Sequence, residues 1–393
     1  MHLARLVLED FRSYASAELR PEPGLTVIVG PNGAGKTNLL EAISVAVTGR
    51  SHRTTIDTEL VRHERPFGRV RLDLVGSGDQ AAKVEIVIPG VDPPADLRRR
   101  VSVNGLSRRI VGVGETVRSV LFRPEEMLLL VGAPGERRRF LDGILAQRGR
   151  RAASDLAALA RVLVQRNALL RAIRREEATV DGLAFWDEQL AEVGARVTRD
   201  RIGLVRDLDA RIPELHDAVA PPAEMADRVR LLYLDSLKDA WPERDEHAAG
   251  ATAPDLEALT AAFRRRIAAV RQKELWNGVT LVGPQRDDLG VELAGRGVPS
   301  HASRGQQRTI ILALKLAETD LLGADGSPRP IVLLDDVFSE LDAERADRTL
   351  ALLLDRGQVL VTAADLSALP VGRRGVSIWR VGDGRLTAAP RVA

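Results

Sequence analysis

The sequence contains no cysteine. Disulfides, thiolate metal sites and cysteine nucleophiles are therefore excluded, which suits a reducing compartment. It also has almost no net charge: 57 Lys and Arg stand against 55 Asp and Glu, a formal +2. That balance neither demands nor excludes a nucleic-acid partner. Lysine is scarce, so the cations are nearly all arginine, and with the abundant alanine this reads as a compositional bias of the genome. No apolar run approaches the roughly 20 residues of a membrane-spanning helix. The first residues, Met1–Glu9, alternate like a strand and lack the charged start and long apolar core of a secretory signal. The expectation is a cytoplasmic protein without a membrane partner. There is no internal repeat and no low-complexity tract. With 45% hydrophobic and 28% charged residues, a chain of this length carries two or three domains' worth of core.

The stretch with most chemistry is Gly30-Pro31-Asn32-Gly33-Ala34-Gly35-Lys36-Thr37, which has the form G-x-x-x-x-G-K-T. Before it, Leu25–Val29 is a short β-branched apolar run, as a buried strand would be. After it, Thr37–Val47 carries Leu39, Leu40, Ile43 and Val47 at helical spacing. Strand, glycine loop and helix together distinguish a phosphate-binding loop from a chance glycine-rich turn. Glycines let the backbone close around an anion with its N–H groups turned inward, and the helix N-terminus adds partial positive charge. Lys36 is expected to reach the β- and γ-phosphates of a nucleotide and the Thr37 hydroxyl to hold Mg²⁺.

Around this loop the first 130 or so residues read as an α/β lobe with antiparallel additions. Strands are expected near residues 3–9, 18–20, 70–75, 83–88, 99–103 and 117–122, with Asn104-Gly105 as a hairpin turn and Arg50–Thr58 as a polar loop. From Pro134 to about Asn277 the pattern becomes helical. Leu156, Leu159, Leu163, Leu169, Leu170 and Ile173 recur at helical spacing, as do Leu190, Val193, Val197, Leu204, Val205, Leu208 and Ile212. Breaks are expected at Pro213, at Pro221-Pro222 and over Pro242–Pro254, and Leu256–Trp276 reads as a last helix. The expectation is an arm of antiparallel helices, residues 133–277, inserted into a head formed by 1–132 and 278–393.

Two further segments in the second half bear on chemistry. Ile331–Leu334 is a continuous apolar run ending in Asp335-Asp336, so two carboxylates emerge at the C-terminal end of a buried strand, where α/β proteins place ligands. Asp335 is expected to serve the metal and Asp336 to orient or deprotonate an attacking water, with Lys36 as its catalytic partner. Two acids capping a helix would be the ordinary alternative. About 30 residues earlier, Ser303-Arg304-Gly305-Gln306-Gln307 opens an amphipathic helix with Ile310, Ile311, Leu314 and Leu321 inward. A Ser and a Gly at a helix start can bind an anion, but alone they read as an ordinary N-cap.

Taken together these segments resemble the ABC-type ATPases, with Ser303, Arg304, Gly305 and Gln306 similar to their signature motif and Ser339 and Asp342 to their D-loop. The likeness to the RecF family, within the SMC-like branch, runs nearly end to end. It is carried by Leu8–Tyr14, by Gly30–Thr37 with Asn38-Leu-Leu-Glu41-Ala, by Leu121–Glu125, by Arg137–Asp142, by Gln165–Asn167, by Gly283–Leu289 and by Leu333–Asp342. The resemblance implies an ABC-type α/β head, assembled from both chain termini, with an inserted α-helical arm. It implies ATP and Mg²⁺ held between two head-to-tail subunits, the signature of one closing on the γ-phosphate held by the other. It further implies that Arg12 lies against the nucleotide and that Asn32 faces the phosphates, with Pro31, Ala34 and Asn38 completing the nucleotide-binding stretch. At two positions the sequence departs from the wider pattern: Glu125 stands where ABC proteins have the Q-loop Gln, and Thr362 where transporters have the switch His.

The function implied by the resemblance is an ATP-switched mediator of recombination. ATP and Mg²⁺ drive homodimerisation, the dimer clamps double-stranded and gapped DNA, and slow, DNA-stimulated hydrolysis releases it. RecR, and through it RecO and RecA, are the implied protein partners. Arg137–Arg139, Arg148, Arg150, Arg151, Arg174, Arg175 and Arg264–Arg266 offer cations for phosphate contacts, although for each one a solvated ion pair is the plainer reading. A transporter ATPase subunit and an SMC-type tether remain as alternatives. The missing switch His, the missing Q-loop Gln and the inserted arm weigh against the former, and the shortness of the arm against the latter.

Overall fold

The computed structural model describes residues 1–76, 80–221, 228–237, 240–241, 254–324, 326–366, 369, 376–382 and 384–389. Most of the polar break expected over Pro242–Pro254, and Pro222, lie outside the described residues. The chain forms two compact units: residues 1–126, 217–223 and 312–393, and residues 127–216 and 224–311.

The first unit is built on two six-stranded sheets. One is antiparallel and comprises β1 (His2–Phe11), β2 (Tyr14–Leu19), β4 (Phe67–Val75), β5 (Ala81–Pro89), β6 (Arg100–Val103) and β7 (Leu106–Arg108), in the order β2-β1-β4-β5-β6-β7. In β1 the buried residues are Leu3, Leu6, Leu8 and Phe11. Strict alternation cannot produce that set. A register shift between Leu3 and Arg5 and a positive φ at Asp10 reset the period at either end. Asn104 and Gly105 both take positive φ between β6 and β7, as a two-residue hairpin turn of this sequence requires.

The other sheet holds β3 (Leu25–Val29), β8 (Ser119–Phe122), β12 (Ile331–Asp335), β13 (Val359–Ala363), β14 (Ser377–Gly382) and β15 (Arg385–Ala388), in the order β15-β14-β3-β13-β12-β8. Its strands pair in parallel except at β15. Parallel strands are buried on both faces and read as unbroken apolar runs; β3, β12 and β13 do so. Helix α1 (Lys36–Thr48) packs against strands of both sheets. Every residue from Leu39 to Val47 is therefore buried, not only the one face that the leucine spacing suggested. Helix α10 (Ala343–Arg356) follows β12.

The second unit combines helices with a small sheet. Its long helices are α3 (Pro134–Arg148), α4 (Arg150–Arg174), α5 (Leu183–Asp209) and α7 (Leu256–Asn277), with short α2 (Leu128–Val131) and α8 (Val298–His301). Helices α6 (Ile212–Val219) and α9 (Arg304–Gly323) carry the chain from this unit into the other. The helical core gathers Leu159, Val162, Leu190, Val193, Val197, Phe263 and Ile267. Gly194 lies under the Phe263 ring, where an added Cβ would stand 3.0 Å from a ring carbon.

The two compact units divide the chain differently from the expected head and arm in two respects. The arm is not purely helical, because β9 (Val229–Leu234) pairs with β10 (Asp288–Leu293), which pairs in turn with β11 (Arg296–Gly297). That pairing draws residues 278–311, expected in the head, into the helical unit. Side chains complete the attachment. Arg137 on α3 forms a two-pronged bond to Asp288 at 2.7 and 2.8 Å. Arg166, 1% exposed, donates to Asp187, Glu274 and Thr280, and Asn167 accepts from both the backbone and hydroxyl of Thr280. Thr280–Val282, read as strand-like, is irregular backbone, and these bonds hold Thr280.

Candidate nucleotide site

The phosphate-loop segment follows β3 directly, and three of its residues need glycine. Gly33 and Gly35 have φ of +81° and +108°, values that a Cβ disfavours. Gly30 meets β14 so closely that an added Cβ would lie 2.3 Å from the Val381 carbonyl oxygen. The Lys36 ammonium is nearly buried and donates to the carbonyls of Gly30 (2.7 Å) and Pro31 (3.0 Å), bracing the loop from within. Ala34 N–H donates to Pro31 O at 3.2 Å, while Asn32 and Gly33 are exposed.

The acidic strand reaches this loop across the sheet. β13 lies between β3 and β12. From β12, Asp335 accepts through Oδ1 from the Thr37 hydroxyl at 3.1 Å and from the Thr362 hydroxyl at 2.7 Å. Donation to Asp335 uses the one Thr37 hydroxyl proton and leaves its oxygen lone pairs for a cation. A hydroxyl and a carboxylate side by side are hard oxygen donors, as Mg²⁺ requires, and that ion takes one or two protein groups plus substrate phosphates. Among the described residues no cluster of three or more His or acidic side chains could hold a metal unaided. Thr37 and Asp335 thus fit Mg²⁺ bound together with a nucleotide. Asp336 begins the next turn with φ of +53°, in the left-handed region, and its N–H donates to Thr362 through Oγ1 (3.1 Å) and through the carbonyl (3.2 Å). Ser339 donates to Asp336 O at 2.7 Å, and Asp342 caps α10 by accepting from Arg345 N–H at 2.9 Å.

A second layer surrounds the loop's outer side, and little of it was foreseen. Arg12, at φ +49° in the turn between β1 and β2, does not stand alone. It forks onto Glu41 at 2.9 and 2.7 Å and donates to Glu59 O at 2.7 Å. Glu41 is 0% exposed and also accepts from Ser51 Oγ (2.5 Å) and Arg53 (3.4 Å). Burial alone would raise its carboxyl, but the Arg12 fork and the Ser51 hydroxyl outweigh it and hold the group below the ordinary carboxylate range. Asn38 links the two layers, donating to Ser13 Oγ at 2.9 Å and accepting from Arg53 at 2.8 Å. Tyr14 OH donates to Gly35 O at 3.1 Å, and burial pushes that phenol above its usual range. Burial, and then the nearby Arg123, hold His52 down at about 4, so it is neutral at neutral pH. Glu41 had a visible signal in the sequence: one carboxylate in the otherwise apolar stretch Leu39–Ile43.

The positions that depart from the wider pattern are occupied differently. Glu125 is exposed. Its neighbour Glu126 is buried, with Arg123 at 3.1 Å and Lys315 at 3.8 Å. Thr362 is 1% exposed and is committed to the acidic strand. Residues Ser303–Gln306 belong to the second unit. Ser303 N–H donates to Gln306 Oε1 (2.9 Å) and Gln306 N–H donates to Ser303 Oγ (3.2 Å), a reciprocal capping box opening α9. Arg304 is exposed beside it, and Gly305 lies in the same first turn.

The two-sheet unit, the loop and the acid strand bonded to it define a P-loop ATPase head of the ABC type, related to SMC heads. A model of the RecF/RecN/SMC N-terminal domain matches residues 2–385. A DNA replication and repair protein RecF of Kineococcus radiotolerans is 40% identical, over 97% of this chain and 97% of that one. That of Roseiflexus castenholzii is 36% identical, over 99% and 100%. The chain belongs to the RecF family. Among solved structures, the recombination mediator protein RecF with ATP, in the RecFOR pathway, superposes with a TM-score of 0.86 at 26% identity, covering 99% of this chain and 98% of that one. An Smc head bound to the C-terminal winged-helix domain of ScpA, at 14% identity and a TM-score of 0.53, shares the fold. Among the described residues no helix is long and apolar enough to cross a membrane.

Proposed function

We propose that this protein is an ATP-switched, DNA-binding recombination mediator with a slow ATPase. The observation that carries the reading is the 3.1 Å bond from the Thr37 hydroxyl to Asp335. It joins the phosphate loop to the acidic strand within one unit, as nucleotide hydrolysis requires. Loop N–H groups and Lys36 hold the triphosphate. Lys36 leaves its loop carbonyls for the β- and γ-phosphate oxygens, a short swing of a flexible side chain. Asp336 orients water for in-line attack on the γ-phosphorus and takes its proton as ADP leaves. Mg²⁺, held through Thr37 and Asp335, supplies neutralisation of the charge that develops on the phosphates. An aspartate carboxylate is a weak base, so turnover is slow.

The ABC-type resemblance implies that the signature of one subunit closes on the γ-phosphate held by the other, so the single Ser303–Gln306 segment of this chain completes a site only in a second copy. ATP therefore drives a homodimer with two shared sites, Ser303–Gln306 of one copy facing the γ-phosphate of the other and Ser339 and Asp342 lying at the junction. The ATP and RecFOR context of the structural relative supports this reading, as does the replication and repair role in the names of the sequence relatives. Duplex and gapped DNA, clamped by the dimer, is the substrate surface; RecR, and through it RecO and RecA, are the protein partners; the compartment is the cytoplasm.

The test is mass in solution by light scattering, with and without ATP–Mg²⁺ and duplex DNA, alongside phosphate release. The expected result is a doubling of mass with ATP and faster release with DNA. A species that stays monomeric with both ligands, or turns over rapidly as a dilute monomer, overturns the switch.

A further inference from the structure

The residue at the switch position, Thr362, is placed where it can act on both acids and on neither substrate nor solvent. Strand pairing puts it there: β12 and β13 are parallel, with Asp335 opposite Thr362. The side chain is 1% exposed. Its hydroxyl has one proton and two acceptor lone pairs. The proton goes to Asp335 Oδ1 at 2.7 Å. A longer approach to Leu334 O, 3.4 Å, cannot compete for it. A lone pair receives Asp336 N–H at 3.1 Å. One hydroxyl thus binds the carboxylate of the first acid and the peptide of the second.

We propose that Thr362 is a positioning residue that fixes Asp335 for the divalent cation and holds the Asp336 backbone in its unusual turn; this rests on the ATP-hydrolysis reading above. Two features make the assignment specific. First, Asp335 Oδ1 receives hydroxyls from both sides, Thr37 from the loop and Thr362 from the neighbouring strand. The carboxylate is thereby held from two sides, as a preorganised metal ligand needs. Second, Asp336 has φ of +53°, a conformation disfavoured for a residue with a Cβ and one that persists only where neighbours hold it. The bifurcated bond from its N–H to the Thr362 hydroxyl and carbonyl is such a hold. A hydroxyl spent in this way has no proton left for a γ-phosphate. The position therefore serves the metal ligand and the base, and does not sense the nucleotide's third phosphate.

The test uses full-length protein and a fluorescent ATP analogue, titrated with Mg²⁺ and, separately, measured in EDTA. Thr362→Val keeps the shape and removes both bonds. The Mg²⁺ concentration for half-maximal effect should rise about tenfold, the scale of one lost bond to a charged group, while affinity in EDTA stays within about twofold. Thr362→Ser keeps the hydroxyl and should titrate within about threefold of the unmodified protein. A Thr362→Val protein with an unchanged Mg²⁺ titration overturns the proposal, and loss of hydrolysis alone in that protein would assign Thr362 to the γ-phosphate instead. If Thr362→Val does not fold, Thr362→Ala against Thr362→Ser reads the same hydroxyl; equal Mg²⁺ titrations of those two overturn it. Failure of the unmodified protein to bind the analogue at all would overturn the ATP reading, and this proposal with it.

Discussion

Glu41 offers the sharpest test of how the nucleotide-binding unit is held together. Its carboxylate is fully buried in α1, between the two sheets, and receives the Arg12 fork, the Ser51 hydroxyl and Arg53. Glu41→Ala removes the anion and leaves Arg12, whose side chain is only 16% exposed, without its counter-charge. Breaking a buried pair by removing one partner costs about 3–5 kcal/mol. Arg12 keeps the Glu59 carbonyl and some contact with water, so the lower end, about 3 kcal/mol, is expected. For a unit of this size that corresponds to a fall of roughly 6–12 °C in its melting transition, measured by scanning calorimetry without nucleotide. The pH dependence has a definite sign. The folded carboxyl lies below its ordinary range, so its contribution is present above the unfolded pKa and is lost as pH falls through the folded one. Compared with Glu41→Gln, the unmodified protein should be most favoured near neutral pH, and the gap should close in acid, where Glu41 itself becomes neutral. A Glu41→Ala protein melting within about 2 °C of the original, or a gap that widens in acid, would show that Arg12 is restrained by something else.

Asp336→Asn should retain ATP binding and accumulate an ATP-bound dimer, because positioning survives and proton acceptance does not; gel filtration with ATP–Mg²⁺ checks this, and a monomer refutes the assigned role. Ser303→Arg should block dimerisation while leaving nucleotide affinity of the monomer within about twofold, since Ser303 belongs to the other unit and its loss costs its own helix cap only about 1 kcal/mol. Asp287 is almost wholly buried, and burial pushes its carboxyl up to about 6 despite donors from Tyr233 (2.6 Å) and Ser236 (2.8 Å). Here the linkage runs the other way. The folded state prefers the protonated form, so stability is lost as pH rises from the ordinary carboxylate range to about 6. Against Asp287→Asn, the unmodified protein should lose up to about 3 kcal/mol of stability between pH 4 and 7, read from urea midpoints; parallel pH profiles would refute it.

What could be read in the sequence was whatever short-range spacing encodes. The loop glycines, the apolar β3 and β12, the Asn104-Gly105 turn and Pro134 at the start of α3 each carry their own local instruction, and the structure places them accordingly. The boundary near residue 278 was not legible, because what binds 278–311 to the helices is a strand pairing between β9 and β10 and side chains such as Arg137, Arg166 and Asn167, all reaching far along the chain. The burial of α1 on every side was hidden for the same reason: periodicity reveals a helix's apolar face, but it takes a second sheet to cover the other.

The same distinction separates the two halves of the nucleotide site. Thr37 and Asp335 each belong to a motif, yet the bond that makes them one site joins residues 298 apart in sequence, and it forms only because the sheet orders β3, β13 and β12 side by side. Thr362 belongs to no such motif. In the sequence it is the residue that stands where another class of ATPase has histidine, and it looks like a loss. Its position opposite Asp335 in the β12–β13 register turns it into a donor to one acid and an acceptor for the next. A buried hydroxyl with one proton must choose a single acceptor, and here that acceptor is the Asp335 carboxylate. On the proposed reading, the departure from the transporter pattern exchanges one role for another within the same strand pair.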